Sequence, residues 1–408
     1  MNGERLSGSK KLLIALCFVM YLLYGMYFGG FGANSGNMMA FFGISESRQG
    51  MIMTVQSIGC IVMAVILGVI GERVNKLKGL LLGVLVMGLA GILIGTIPAF
   101  RAQGSGYGTM LCFSVIGGIG YITIDLLMNG AVADVFREKK STLLPLVHAF
   151  YGGGSMLAPL FVSMLADPSK PASFSVPYLV TGCCAVILGI VFFTCVRKVT
   201  PDTLYADMAP IRARAAANPF EVFRDIRAWQ YFLCCFLYLS FQTGLVAWLP
   251  RFFEVRLGTP YETANSMLTL YFLGALVIRL ISPAVYRRLS ARIYYLLSIS
   301  ASVAVFAVFL LLPSAPLMLL RLLLVVTGLL QGIAVPSLQL LVTDDFADRT
   351  ASASSAIVLG VSLSALLAPV IMGAIIESAG YLASMWFITV LLALSVAVLV
   401  TVKHKATE

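Results

Sequence analysis

The sequence predicts an all-α membrane protein with twelve transmembrane helices in two pseudo-symmetric six-helix bundles. Hydrophobic residues make up 60% of the 408 positions and charged residues only 11%, far from the balance of a soluble domain. The apolar residues fall into stretches of about 20, the length that crosses a bilayer as a helix. One long polar connection divides these stretches six and six.

Twelve apolar stretches follow one another along the chain, separated by polar connections. The first follows Lys10 and Lys11, as in a signal peptide, but it has no small-residue cleavage site and eleven more spans come after it. We therefore interpret it as the first span. The stretches lie near 12–33, 49–70, 79–99, 107–134, 142–166, 174–196, 229–253, 262–285, 293–312, 316–342, 352–376 and 382–402.

The longest connection, residues 197–227, predicts the domain organisation. We expect an N-terminal six-helix bundle over 1–196, a cytoplasmic linker over 197–227 and a C-terminal six-helix bundle over 228–408. Many transporters are built from such repeated halves.

Two short matches at one offset support the repeat. "ADVFRE" at 133–138 resembles "TDDFAD" at 343–348, and "MLAPL" at 156–160 resembles "LLAPV" at 366–370, both 210 residues apart. The fourth and fifth spans are therefore predicted to be counterparts of the tenth and eleventh.

The positive charges predict the orientation, because Lys and Arg in short loops stay in the cytoplasm. With the N-terminus inside, cytoplasmic segments hold 21 Lys and Arg and external loops hold five. Both termini are therefore expected in the cytoplasm, with a bacterial inner membrane as the expected location. The net charge of +10 fits this topology and contact with anionic lipid, and no nucleic-acid partner is expected.

The connection between spans two and three, "GVIGERVNKLKG", resembles the signature loop of the major facilitator superfamily. This resemblance implies the major facilitator fold and secondary transport by alternating access, with a small-molecule solute, no cofactor and a monomeric protein. It is not expected to be an enzyme. The residues that match the loop, and that the resemblance assigns to gating, are Gly68, Glu72, Arg73 and Lys76, followed by Lys78.

Spans four and five are similar to those of the fucose/glucose-type sugar:proton symporter branch of that superfamily. In this branch an acid is followed four residues later by Asn, and then by a Leu-x-Leu-x-polar-x-Phe-x-x-x-Gly stretch. Where sugar members have a second acid in the first span, this chain has Asn34 and Asn37. The matching residues are Asp125, Asn129, Leu144, Leu146, His148, Phe150 and Gly154.

Asp125 is the candidate proton carrier on physical grounds as well. It lies nine residues before Asp134, roughly 13 Å inside the helix end, where an acid is costly and usually functional. Asn129 follows one turn later on the same helix face. His148 is a second candidate for proton transfer, although a lone histidine can equally be a satisfied core group.

Other polar and aromatic residues at cavity depth are candidates for solute binding, although each of them can instead pack or bond against a neighbouring helix. Arg321 would attract an organic anion if it faced a cavity, and both it and Arg279 can instead extend towards the membrane surface. The candidate set is Asn129, Tyr151, Tyr24, Tyr27, Gln242, Trp248, Gln331 and Arg321.

Motifs for other functions are missing from the sequence. There is no nucleotide-binding GxxxxGK[ST] loop, no metal-ligand spacing and no Ser/His/Asp set, and the eight cysteines fall inside apolar stretches without a CxxC pair. The sequence thus predicts a proton symporter of a sugar or related polyol. The alternative is a proton-coupled exporter of drugs, lipids or organic anions.

Overall fold

The computed structural model describes residues 8–70, 74–136, 140–199, 221–346 and 350–403, and these residues contain no β-strand. A 3₁₀ turn, Pro171–Phe174, precedes α6, and a π-helical turn, Phe252–Arg256, follows α7. The helices are α1 (Gly8–Phe42), α2 (Glu46–Ile70), α3 (Lys76–Phe100), α4 (Tyr107–Val135), α5 (Lys140–Leu165), α6 (Ser175–Val199), α7 (Ile226–Arg251), α8 (Tyr261–Tyr286), α9 (Ala291–Leu311), α10 (Leu317–Gln331), α11 (Ala334–Asp345) and α12 (Thr350–Thr401).

Eleven helical stretches in the described part of the chain are long and apolar enough to cross a membrane. One of them, Leu317–Asp345, contains both α10 and α11, because the helix breaks at Gly332 and Ile333. Another, Ala356–Thr401, contains two of the predicted spans. The predicted span over 316–342 is therefore confirmed as one span, and the break inside it was not predicted.

The helix α12 consists of two arms joined at Gly380. This residue has φ 84°, a left-handed conformation that glycine adopts without the cost other residues incur. Both outer ends of α12 lie near the start of α7: the Cys235 thiol donates to the main-chain oxygen of Ile357 (3.6 Å), and Gln230 Nε2 donates to Thr401 Oγ1 (3.0 Å). The chain therefore turns back at Gly380, and the arms are the predicted eleventh and twelfth spans.

The described helices group into two compact units. The first contains Met1–Gly30, Ala40–Gly43 and Val55–Ala213, and the second contains Phe31–Met39, Ile44–Thr54 and Arg214–Glu408, as far as these ranges are described. The second unit thus includes parts of α1 and α2 in addition to the C-terminal helices.

In the first unit, α1 and α5 cross at glycines. A Cβ on Gly25 would contact the main-chain oxygen of Tyr151 and would lie 2.9 Å from the main-chain nitrogen of Ser155. A Cβ on Gly154 would contact the main-chain oxygen of Leu22. Only glycine permits such close approach, and this approach places Tyr151 directly against α1.

The ends of α4 and α11 have the same backbone geometry. The chain leaves α4 at Phe136 with φ −121° and ψ 44°, and the N–H of Phe136 donates to Val132 O. It leaves α11 at Phe346 with φ −123° and ψ 47°, and the N–H of Phe346 donates to Val342 O. Both pairs are separated by the offset of 210 residues, as expected for a structural repeat.

Candidate solute and proton site

The site is built around Asp125, which lies in the middle of α4. Its side chain is half-buried, and its Oδ1 accepts a hydrogen bond of 3.0 Å from the hydroxyl of Tyr21 on α1. Tyr21 is fully buried. A buried phenol therefore holds the carboxylate in one orientation and satisfies one of its acceptor sites.

Asn129 connects Asp125 to the histidine on α5. The Nδ2 group of Asn129 donates to the main-chain oxygen of Asp125 (3.1 Å), and Asn129 Oδ1 lies 3.0 Å from His148 Nε2. Because Nδ2 is already the donor to Asp125, Oδ1 is the acceptor, which places a proton on His148 Nε2. His148 is exposed, so this chain of groups ends at an accessible imidazole.

Six tyrosines of the described chain form a cluster of ring contacts around these polar groups. Tyr24 and Tyr121 stack with ring centroids 3.9 Å apart, and the edge of the His148 ring meets Tyr21 at 5.5 Å. The ring centroid of Tyr24 lies 5.2 Å from those of Tyr21 and Tyr151. The ring centroid of Tyr27 lies 6.2 Å from those of Tyr121 and Tyr178.

This arrangement combines two chemical capabilities. A half-buried carboxylate next to an imidazole can accept and release a proton. Aromatic faces that carry hydroxyl groups can pack against a flat or ring-shaped solute and exchange hydrogen bonds with it.

The structure brings the predicted residues Asp125, Asn129, His148, Tyr24, Tyr27 and Tyr151 together, and it adds Tyr21, Tyr121 and Tyr178, which were not among the predicted site residues. Tyr21 belongs to the same stripe as Tyr24 and Tyr27, whose rings can either pack a solute or pack against a neighbouring helix. Tyr121 precedes Asp125 by four residues, as Asp125 precedes Asn129. That i, i+4 spacing on one helix face was the pattern that could have identified Tyr121.

In the second unit, Gln331 lies in a closed polar network. It is fully buried, its Oε1 accepts from the hydroxyl of Tyr271 (2.9 Å), and its Nε2 donates to Ser302 Oγ (2.7 Å). These bonds join α10 to α8 and α9. The structure therefore places Gln331 among helix contacts, and its role in solute binding stays a prediction.

Trp248 and Gln242 have different environments on α7. Trp248 is fully buried and its Nε1 donates to the main-chain oxygen of Pro369 (3.1 Å). Gln242 is half-buried. Of the two, Gln242 retains the exposure that a solute-binding group needs, whereas Trp248 packs between α7 and α12.

The two intramembrane arginines are both half-buried. Arg321 has a buried Nε without a hydrogen-bond partner in the described part of the chain. Arg279 donates from Nε to the main-chain oxygen of Gly332 (2.8 Å). The Arg279 bond ties its side chain to the neighbouring span, and the role of Arg321 in solute binding stays a prediction.

The structure describes only part of the predicted gating loop. Gly68 lies in the last turn of α2, and Lys76 begins α3 with its aliphatic chain near Gly130 of α4. Glu72 and Arg73 lie outside the described residues. Within the described residues, no group of His, Cys, Asp and Glu side chains could hold a metal ion.

Residues 17–363 match the sequence pattern of the Major Facilitator Superfamily. The chain belongs to this family. It is accordingly a multi-pass integral membrane protein. Members of this family are transporters of small-molecule solutes rather than enzymes and are typically monomeric.

Two curated relatives match at 25% identity: bypass of stop codon protein 6 of Saccharomyces cerevisiae over 279 residues, and human protein spinster homolog 1 over 256 residues. The alignments cover 63% and 60% of this chain, and 53% and 46% of the relatives. The chain thus spans about half the length of the curated relatives it matches.

Solved structures share the fold. A bacterial homolog of the human lysosomal transporter Spinster, in an inward-facing conformation, has TM-score 0.79 at 13% identity, covering 97% of both chains. A D-xylose-proton symporter has TM-score 0.78 at 15% identity, covering 98% of this chain and 99% of the symporter. The nucleoside transporter NupG has TM-score 0.75 at 15% identity, covering 97% of this chain and 98% of NupG. These likenesses confirm the major facilitator fold. At such low identity they do not identify a substrate for this chain.

Proposed function

We propose that this transporter moves a small polar solute, a sugar or related polyol, together with protons, as in the fucose/glucose-type branch. The observation that carries the proposal is the half-buried Asp125: its carboxylate accepts from Tyr21, and its main-chain oxygen accepts from Asn129, which also bonds to His148. In this proposal Asp125 carries the proton and His148 exchanges it with the accessible side.

The tyrosine cluster supports a hydroxylated, ring-shaped solute. The half-buried Tyr121 and Tyr151 offer ring faces and phenol groups next to the proton site, while Tyr24 is buried in ring contact with both, so binding of the solute and protonation of Asp125 can influence each other. Alternating access would use the two predicted bundles, 1–196 and 228–408, with Glu72 and Arg73 contributing to the gate, and with both termini in the cytoplasm of a bacterial cell.

A second candidate function is proton-coupled export of a drug, lipid or organic anion. It is favoured by the largely aromatic surroundings of Asp125. Flat or amphipathic molecules would use the same ring faces as a sugar.

The test is transport by protein reconstituted in vesicles, with an imposed pH gradient and a panel of sugars, polyols, organic acids and dyes. Asp125→Asn should abolish accumulation driven by the gradient while exchange of solute across the membrane at equal concentrations persists. The matched control is Asp167→Asn, which removes a loop carboxylate bonded to Ser169. Full gradient-driven accumulation by Asp125→Asn would overturn the proposed coupling role, and extrusion of a dye without sugar uptake would favour the exporter.

A further inference from the structure

At the break between α10 and α11, each of four consecutive main-chain oxygens, of residues 330–333, accepts a hydrogen bond from a side chain on another helix. Ile333 O also accepts from the N–H and the hydroxyl of Ser337 within α11. Such donors are needed because an interrupted helix in a membrane exposes polar main-chain groups. Three of the four donors are neutral phenols. The bonds are Tyr294 to Leu330 O (2.9 Å), Tyr238 to Gln331 O (2.9 Å), Arg279 to Gly332 O (2.8 Å) and Tyr286 to Ile333 O (3.3 Å).

The fourth donor is Arg279. It bonds to Gly332 O with a positively charged group, whereas the other three oxygens accept from neutral phenols. A permanent charge inside a membrane protein is costly and usually functional. Arg279 follows the buried Ala275 by four residues and so lies near the inward face of α8, whereas Val277, Leu280 and Ile281 are exposed. Its Nε–H bond to Gly332 directs it sideways to the neighbouring span.

Arg279 also lacks an internal counterion. Among the described residues no carboxylate lies within 4.0 Å of it, although Arg227 and Arg251 each form an ion pair. A guanidinium has five N–H donors, and Nε uses one of them. The terminal nitrogens form the planar fork that binds a carboxylate or phosphate through two parallel hydrogen bonds.

We infer that Arg279 binds an oxyanion, a carboxylate or phosphate, on the transported solute. This inference rests on the proposed function and narrows its substrate class from a neutral sugar or polyol to a hydroxylated acid or phosphate ester. The Nε bond to Gly332 O fixes the plane of the fork before the solute arrives, which reduces the ordering that binding requires.

The test uses pairs of solutes that differ only in the charged group: glucose with glucuronate, glucose with glucose 6-phosphate, and glycerol with glycerol 3-phosphate. Protein in phosphatidylcholine vesicles is given a pH gradient, and accumulation is measured for wild type, Arg279→Gln, Arg279→Lys and Arg287→Gln. Arg287 is the matched control, because it directly follows the same helix and its Nε also donates to a main-chain oxygen, that of Pro283 (3.2 Å), but it is exposed.

Wild type and Arg287→Gln should accumulate at least one charged solute about ten-fold or more above its neutral partner, in line with the usual effect of an ionic contact. Arg279→Gln should lose this preference. Arg279→Lys keeps a positive donor without the fork and should retain an intermediate preference, so it carries the test if Arg279→Gln fails to fold. A purely structural arginine would change thermal stability and leave the charged-to-neutral ratio unaltered.

Several results would overturn the inference. The first is that wild type accumulates the neutral solute of each pair as well as or better than the charged solute, a result that would leave the proposed function intact. The second is that Arg279→Gln still prefers the charged solute. If Arg279-dependent thermal stabilisation occurs only when phosphatidylglycerol is added to the vesicles, the oxyanion belongs to a lipid headgroup and the solute assignment is wrong. Failure of every solute in the panel would count against both the inference and the proposed function.

Discussion

Replacing Gly154 with alanine should separate α5 from α1, whereas the same change at the adjacent Gly153 should be tolerated. A Cβ on Gly154 would contact the main-chain oxygen of Leu22 and would lie 2.9 Å from the main-chain carbon of that residue. These atoms belong to the main chain of α1 and cannot rotate away. A Cβ on Gly153 would have Leu22 Cδ1 as its nearest atom, at 3.9 Å.

The two variants allow the cost of the close approach to be isolated. Carbon atoms pack best about 3.5–4.0 Å apart, so α5 has to move outward by about 0.6 Å or more to accommodate alanine at position 154. Overpacking of this kind costs about 1–3 kcal/mol. The helix-propensity gain of alanine over glycine, about 0.8–1.0 kcal/mol, applies to both positions and cancels in the comparison. Gly153→Ala should therefore be more stable than Gly154→Ala by about 1–3 kcal/mol.

The assay is thermal unfolding in detergent, with gradient-driven transport measured in vesicles for the same variants. The midpoint of Gly153→Ala should equal or exceed that of wild type, and the midpoint of Gly154→Ala should fall below both. Transport should fall only in Gly154→Ala, since α5 carries Tyr151 and His148 outward with it. Equal midpoints for the two variants, or undiminished transport by Gly154→Ala, would refute the reasoning.

Two further substitutions test buried polar groups of the second unit. Tyr271→Phe removes the donor to buried Gln331 Oε1 and should lower the free energy of unfolding by about 1–3 kcal/mol. The KM of the transported solute should stay unchanged. A changed KM at an unchanged free energy of unfolding would instead place Gln331 at the binding site. Gln49→Met should raise the unfolding midpoint, because the Gln49 amide is fully buried and neither of its polar atoms has a partner in the described part of the chain; a lower midpoint would contradict this.

The positions of the helices could be predicted from the sequence because a bilayer imposes one length on every span. The break between α10 and α11 was missed, although two local features indicate it. Gly332 lowers helix propensity, and Pro336 lacks the N–H that would continue the hydrogen-bond ladder. A proline is tolerated in many membrane helices, so these residues alone did not distinguish a break from a bend.

The roles of polar residues inside the spans were harder to predict. Gln331 and Gln242 both interrupt apolar stretches, yet the first is fully buried in a network and the second is half-buried. In a soluble helix the polar face identifies the exposed side. In a membrane helix the lipid-facing side is apolar too, so one polar residue does not tell whether it faces a cavity or a neighbouring helix.

Asp125 was predictable for the opposite reason. A carboxylate has no inexpensive place in an apolar span, so its presence alone indicates a role. Its donor, Tyr21, lies 104 residues away in the sequence. The sequence therefore indicated which residue was unusual, and only the three-dimensional contacts indicated which group stabilises it.

The internal repeat shows how the two halves have come to differ in chemistry. On α4, one face carries Tyr121, Asp125 and Asn129, and the offset of 210 residues places Gln331, Val335 and Gln339 at the matching positions. The last position of each set is an amide, and in each half this amide bonds to a residue of the next helix. Asn129 bonds to His148, and Gln339 Nε2 donates to Ser354 Oγ (2.6 Å).

The acid has no counterpart in the second half, where the helix is broken instead and Arg279 bonds to the break. One repeat thus contains a carboxylate that can change its charge, and the other contains a guanidinium that cannot. Of these two groups, only Asp125 can lose its charge on protonation, as proton coupling requires. The two groups thus have separate proposed roles, which Asp125→Asn and Arg279→Gln test independently.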